Sequence, residues 1–258
     1  MTRDDLAFAF AELCLKAAVP VMEVYATDFT PEQKADRSPV TEADRRAEAV
    51  ILAGLEDLMP GVPVLAEESF EAGVRPRTGD KFLLVDPVDG TKEFIAKNGE
   101  FTLNIALIED GAPTAGCVYA PALGELFVGA GAAYKAAATP GGALERTALS
   151  QIATRAAPAD GRVAIASRSH RDARTDAFLA EQGIEHTIAA GSSLKFCRLA
   201  EGSADVYPRF APTMEWDTAA GHAVLAAAGG RVETPEGAPF GYGKSEAGYK
   251  NGHFIAWA

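Results

Sequence analysis

Leu6, Phe10, Leu13 and Ala17 recur at helical spacing behind Thr2, which can cap free backbone N–H groups, so the chain opens with an amphipathic helix. Residues 27–39 are polar and carry Pro31 and Pro39, a pattern that suits a loop. A second helix is predicted from near Thr41, with Val50, Ile51, Leu55 and Leu58 as its buried stripe and Met59-Pro60-Gly61 as its stop. Two short apolar runs, residues 62–66 and 81–85, each end in acids and predict buried strands. From residue 101 to 137, three or four strand-like runs are separated by Glu109-Asp110-Gly111, Pro121-Ala122-Leu123-Gly124 and Gly129-Ala130-Gly131. That punctuation predicts an antiparallel meander.

Residues 138–161 are rich in Gly, Pro and Ala and suggest a boundary between an N-terminal α+β domain, 1–150, and a C-terminal α/β domain, 151–258. Beyond the boundary the pattern alternates. Strands are predicted at 162–166, 184–189, 204–207 and 254–256, and helices at 172–182, 194–201 and 218–228. Strand and helix in alternation imply an α/β layer. No internal repeat or heptad is visible.

Composition narrows the class. With 258 residues, 48% of them hydrophobic, the chain can bury a core without disulfide or metal staples. Twenty-four Lys and Arg against 36 Asp and Glu give a formal charge of −12, which argues against a nucleic-acid polymer as partner. Cys14, Cys117 and Cys197 are odd in number and far apart, so a disulfide frame or zinc cluster is not expected. Asp4 and Asp5 stand where a signal peptide would be basic, and Glu12 and Lys16 break the apolar run. The expectation is a cytoplasmic protein with no integral membrane segment.

The acids at strand ends carry the chemistry. The run Lys81-Phe82-Leu83-Leu84-Val85 leads to Asp86-Pro87-Val88-Asp89, and a turn forced by Pro87 would fold both carboxylates toward one point. Two like charges so close need a cation, and an all-oxygen set that includes the Val88 carbonyl suits a hard ion such as Mg²⁺. Gly90 and Thr91 then open a helix toward Phe94, offering backbone N–H groups to an oxyanion. Three further clusters are Glu67-Glu68-Ser69, Glu215-Trp216-Asp217 and Thr41-Glu42-Ala43-Asp44. Taken singly, these also read as a solvated strand end, an N-cap and an imperfect capping box.

Together they resemble a known family. Asp86-Pro87-Val88-Asp89-Gly90-Thr91 is similar to the first signature of the inositol monophosphatase superfamily, lithium-sensitive Mg²⁺-dependent phosphatases, and residues 216–221 (Trp-Asp-Thr-Ala-Ala-Gly) to its second. The other two clusters fall in the expected order and spacing, and the resemblance runs from the first helix to the last strand. Residues 86–94, 98–105, 167–170, 191–197 and 204–209 resemble the CysQ group, the 3′(2′),5′-bisphosphate nucleotidases. Ala66 departs from the Ser often found there in that group, so the choice of Glu67 over Glu68 as direct ligand rests on register.

The resemblance implies an α/β fold with an α+β N-terminal part, layered as an αβαβα sandwich. It implies removal of the 3′-phosphate of adenosine 3′,5′-bisphosphate to leave AMP, with two or three Mg²⁺ ions and no histidine base. One ion would be held by Glu67, Asp86 and the Val88 carbonyl, a second by Asp86, Asp89 and Asp217, and a third near Glu67. Thr91 and Asp44 would orient the attacking water. Asp89, Gly90, Thr91 and Asp217 would meet the scissile phosphate, Ser192, Lys195 and Arg209 a distal phosphate, and His170 the base or ribose. The alternatives are an inositol or other sugar phosphatase of the same superfamily and a non-catalytic metal-binding regulator. The group allows a monomer or a homodimer, and peripheral attachment at the inner membrane face, for which this sequence offers no basic anchor.

Overall fold

The computed structural model describes residues 1–29, 32–33, 39–156, 158, 161–167 and 173–258. Its outermost layer is a pair of packed helices, α1 (Arg3–Tyr25) and α2 (Glu42–Leu58). Thr2 and Asp5 close a reciprocal capping box on α1, and Thr41 and Asp44 close one on α2, so each helix starts with its first N–H groups satisfied. Helix α1 buries Leu6, Phe10, Leu13 and Ala17 as their spacing predicts, and also Ala7, Cys14, Leu15 and Val21. Its buried face is broader than a stripe because it is wedged between α2 and the sheet beneath. In α2, Ile51 and Leu55 are buried while Val50 and Leu58 are only half-buried. Between the two helices lies a short antiparallel pair, β1 (Glu32–Gln33) with β2 (Pro39–Val40), in a stretch whose composition predicts only loop.

The sheet beneath has seven strands in chain order: β3 (Val64–Ala66), β4 (Lys81–Asp89), β5 (Thr102–Glu109), β6 (Ala112–Ala120), β7 (Glu125–Gly129), β8 (Ala133–Ala137) and β9 (Ser150–Ile152). Only the β3–β4 pair is parallel; from β4 onward the strands form the predicted meander. Two short helices interrupt its start, α3 (Glu67–Glu71) after β3 and α4 (Thr91–Ile95) after β4.

A second sheet runs β11 (His186–Ala190), β10 (Val163–Ser167), β12 (Val206–Arg209), β14 (Phe254–Trp257), β13 (Arg231–Glu233). The first three are parallel, and β14 and β13 are antiparallel. Helices α6 (Leu194–Ala200) and α7 (Ala219–Ala227) fill the space between the sheets, while α5 (Ala173–Glu181) covers the outer face with Leu179 against Ala164, Val206 and Ile255. The layers therefore stack helix, sheet, helix, sheet, helix.

The middle helix explains the small residues around the second acidic motif. A Cβ at Gly129 on β7 would sit 2.5 Å from the Cα of Val224, so α7 lies directly on the sheet, and Ala219 through Leu225 are all buried. Phe127 and Phe196 fill the remaining volume of this inner core, each fully buried side chain contributing roughly 2 kcal/mol. Strands β9 and β13, three residues each, escape prediction because so short a run shows no alternation. No described helix is long and apolar enough to cross a membrane.

Candidate functional site

Strand register brings the first two acidic clusters together. In the parallel β3–β4 pair Ala66 lies opposite Val85, so Glu67 leaves the sheet beside Asp86. Strand β4 does not turn at Pro87 as the sequence suggests. It continues to Asp89, with one more residue than β5 between the pairs Asp86–Asn104 and Asp89–Thr102. That extra residue is a bulge, and Pro87 suits it because a bulged position needs no ladder N–H. The Val88 N–H donates to Asp86 Oδ1 at 3.1 Å, and both residues are buried.

Gly90 caps α4 in the left-handed region at φ +90°. A side chain there is excluded twice, since a Cβ would also lie 2.0 Å from Ser192 Oγ and 3.2 Å from Glu93 Oε2. Ser192 is itself left-handed at φ +50°, and its hydroxyl lies 2.8 Å from two carbonyl acceptors, those of Asp89 and Glu100. Its proton is committed to the protein, so what it offers the pocket is its backbone.

Asp217 sits on the turn that leads into α7, and the Met214 N–H donates to its Oδ2 at 2.8 Å. That turn is held from behind. Glu215, completely buried, accepts from the N–H groups of Gly243 and Lys244 at 2.9 Å and pairs with the Lys244 ammonium at 3.2 Å. The Asn251 amide donates to Met214 O at 2.7 Å and reaches Thr213 Oγ1 and Thr218 Oγ1 at 3.1 Å. Trp216 packs on Phe70 of α3 with ring centroids 5.2 Å apart, which ties this turn to the helix that begins at Glu67.

Glu67, Asp89, Gly90, Thr91, Ser192, Lys195, Arg209 and Asp217 line one pocket of about 280 Å³. Asp86 and Val88 are buried in β4, outside that lining, and Asp44 bonds the Thr41 N–H and hydroxyl at 2.9 and 2.7 Å. Glu68, the alternative to Glu67, does not line the pocket. His170 falls outside the described residues.

Like charges crowd this pocket. Burial, then the Asp89 and Glu67 carboxylates, push Asp217 well above the usual carboxylate range. Burial and, secondarily, Glu93 raise Asp89, against the lowering pull of Lys195 and of the Ser193 hydrogen bond. Burial pulls Lys195 in the same pocket down to about 8, with its ammonium donating to Ser192 O at 2.8 Å. Among the described residues, no group of three or more Asp, Glu, His or Cys side chains stands ready to hold a metal ion. The donor chemistry nevertheless fits a hard cation: all-oxygen, recessed, and repulsive without a counter-charge. One buried acceptor nearby, Asn104 Oδ1, also has no hydrogen-bond partner among the described residues.

Three groups around the site have a signal in the sequence, which assigns them no role. Glu48 is buried and accepts from the N–H groups of Glu68 and Ser69 at 2.8 Å and from the Ser69 hydroxyl at 2.6 Å. It stands on the same helical face as Asp44, Ile51 and Leu55, an acid in an apolar stripe. Asn104 is a polar residue inside an otherwise apolar strand, and Ser193 is the second of two adjacent serines.

With this geometry, similarity to known proteins becomes specific. Residues 2–256 match the model of the inositol monophosphatase family. The 3′(2′),5′-bisphosphate nucleotidase CysQ of Escherichia coli (strain K12) is 45% identical over 239 residues, 92% of this chain and 93% of that protein. The crystal structure of CysQ from Bacteroides thetaiotaomicron superposes with a TM-score of 0.84 at 39% identity, covering 99% of this chain and 97% of that one. An inositol monophosphatase from Anabaena (Nostoc) sp. PCC 7120 shares the fold, with a TM-score of 0.74 at 22% identity over 98% of this chain and 90% of its own. The sandwich, the two signatures and the match along nearly the entire length agree: this chain belongs to the inositol monophosphatase family.

Proposed function

We propose that this chain is a Mg²⁺-dependent 3′(2′),5′-bisphosphate nucleotidase that hydrolyses the 3′-phosphate of adenosine 3′,5′-bisphosphate to AMP and phosphate. The observation that carries the reading is one pocket lined by both acids and cations. Glu67, Asp89 and Asp217 supply carboxylates to it, and Lys195 and Arg209 supply positive charge. An inositol monophosphate has one phosphate to place, whereas a nucleotide bisphosphate has a second for those cations. Similarity to a curated nucleotidase over 92% of the chain supports the same substrate class.

Glu67, Asp86, the Val88 carbonyl, Asp89 and Asp217 would hold two or three Mg²⁺ ions. When bound, Mg²⁺ supplies the positive charge that acidifies a water and neutralises the phosphoryl oxygens. Thr91 and Asp44 would orient the attacking water, and the Gly90 and Thr91 N–H groups, at the start of α4 in the pocket lining, would meet the phosphate. Lys195 and Arg209 fix the distal phosphate, Lys195 as a point charge and Arg209 as a fork. Binding the far phosphate aligns the near one for in-line attack.

Turnover on adenosine 3′,5′-bisphosphate, compared with inositol 1-phosphate at saturating Mg²⁺, tests the reading. The nucleotide is expected to be preferred by at least about tenfold in kcat/KM, and equal or reversed rates would refute it. Asp86→Asn is expected to abolish turnover with the fold retained.

A further inference from the structure

Asp89 and Asp217 come from different elements, the end of β4 and the turn before α7, and one buried hydroxyl touches both. Ser193 Oγ is 3.0 Å from Asp89 Oδ2 and 2.9 Å from the Asp217 carbonyl, and it accepts from Asn104 Nδ2 at 2.9 Å. The same Asn104 amide nitrogen lies 3.4 Å from Asp89 Oδ2. Ser193 and Asn104 are each 1% exposed. Both lie in stretches that resemble the CysQ group, but the sequence assigns neither a role, and neither lines the pocket.

The chemistry of the three groups fixes their roles. An ionised carboxylate only accepts, so the Asn104 amide must turn its nitrogen toward Asp89 and its oxygen away. A serine hydroxyl has one hydrogen. With the Asn104 N–H on its lone pair, that hydrogen is directed at the two acceptors, Asp89 and the Asp217 carbonyl, and the charged one is preferred. Rotation of Asp89 away from Ser193 would therefore break a charge-assisted bond in a dry setting. Displacement of the Asp217 turn would strip the hydroxyl of its second acceptor. The position of one acid is thus coupled to that of the other through a single oxygen.

We propose that Ser193 and Asn104 are positioning residues that set the spacing of Asp89 and Asp217 for a divalent cation. The proposal rests on the reading of those two acids as cation ligands. It goes beyond that reading because it assigns the site's geometry to a serine and an asparagine outside the set of ligands named for the cation.

Calorimetric titration of substrate-free protein with Mg²⁺ tests it, with thermal unfolding of every variant as the control for folding. Wild type is expected to bind, and Asp217→Asn to lose binding. Ser193→Ala and Asn104→Ala are each expected to weaken Mg²⁺ by about 10- to 100-fold, the range for groups that orient ligands. The double variant is expected to bind no more weakly than the poorer single one, because both changes break one network. Groups that merely fill space would instead give losses that multiply. Asn104→Ala supplies an independent measurement should Ser193→Ala not fold. Wild-type affinity in folded Ser193→Ala or Asn104→Ala, or multiplying losses, would overturn the positioning role while leaving the ligand reading intact. Mg²⁺ binding indifferent to Asp217→Asn would overturn both.

Discussion

Lys195 shows what one residue's surroundings do to its chemistry. It is buried, and burial pulls its ammonium down to about 8, with the Asp89, Glu93 and Glu100 carboxylates limiting the fall. A lysine binds phosphate only while protonated, so its contribution is complete at pH 7 and fades as the pH rises through 8. KM for adenosine 3′,5′-bisphosphate is expected to rise about tenfold by pH 9, while Lys195→Arg, charged throughout, removes that rise. A steady-state pH profile of both proteins checks this. A KM equally flat in both would dissociate Lys195 from the distal phosphate. Position 195 was legible as a candidate from the sequence wording alone. Its depressed ionisation was not, because it depends on which groups α6 carries it among.

At the scale of elements, the site is a junction of four strand or helix ends, and each end is anchored separately. The Glu67 end is anchored by Glu48 of α2, whose carboxylate takes three hydrogen bonds from Glu68 and Ser69. Glu48→Ala leaves those half-buried donors without their acceptor. It is expected to destabilise the protein by about 2–3 kcal/mol and also to weaken Mg²⁺ binding, as measured by urea unfolding and metal titration. Stability loss with unchanged Mg²⁺ affinity would make Glu48 a support for α3 that does not position Glu67. The meander, α1 and the helices of the second half were readable from period and punctuation. Strand β4 was misread at Pro87 because a bulge and a turn share the same local composition, and only the pairing partner on β5 separates them.

For the whole molecule, the central helix layer couples the two sheets and brings buried polar groups with it. His222 on α7 is buried and lies 3.1 Å from the Tyr242 hydroxyl. Burial, reinforced by the Lys244 charge, takes its pKa down to about 4 from an ordinary 6.5. Between pH 6.5 and 4 the unfolded chain therefore binds a proton that the native protein refuses, and stability falls as the pH falls. The loss is expected to be complete below pH 4 and on the order of 3 kcal/mol. In denaturant unfolding across that window, His222→Gln should show a shallower acid slope than the wild type. Identical slopes would assign the acid loss to other groups.

By itself the sequence determined the longer helices, the meander and the alternating second half, and it singled out the acids at strand ends. Hydrophobic period and turn residues are local, and acids placed at strand ends can be recognised without knowing their partners. The net charge of −12 read the same way, as a warning against nucleic acid. Tertiary structure decided which strand ends meet. It set Glu67 beside Asp86 through a parallel register, packed Phe70 against Trp216, and placed Lys195 and Arg209 in the same pocket as the acids. It also chose Ser193, Asn104 and Glu48, whose roles come from partners 15 to 104 positions away in the chain. Those contacts are long-range hydrogen bonds in a dry interior, and no local pattern encodes them.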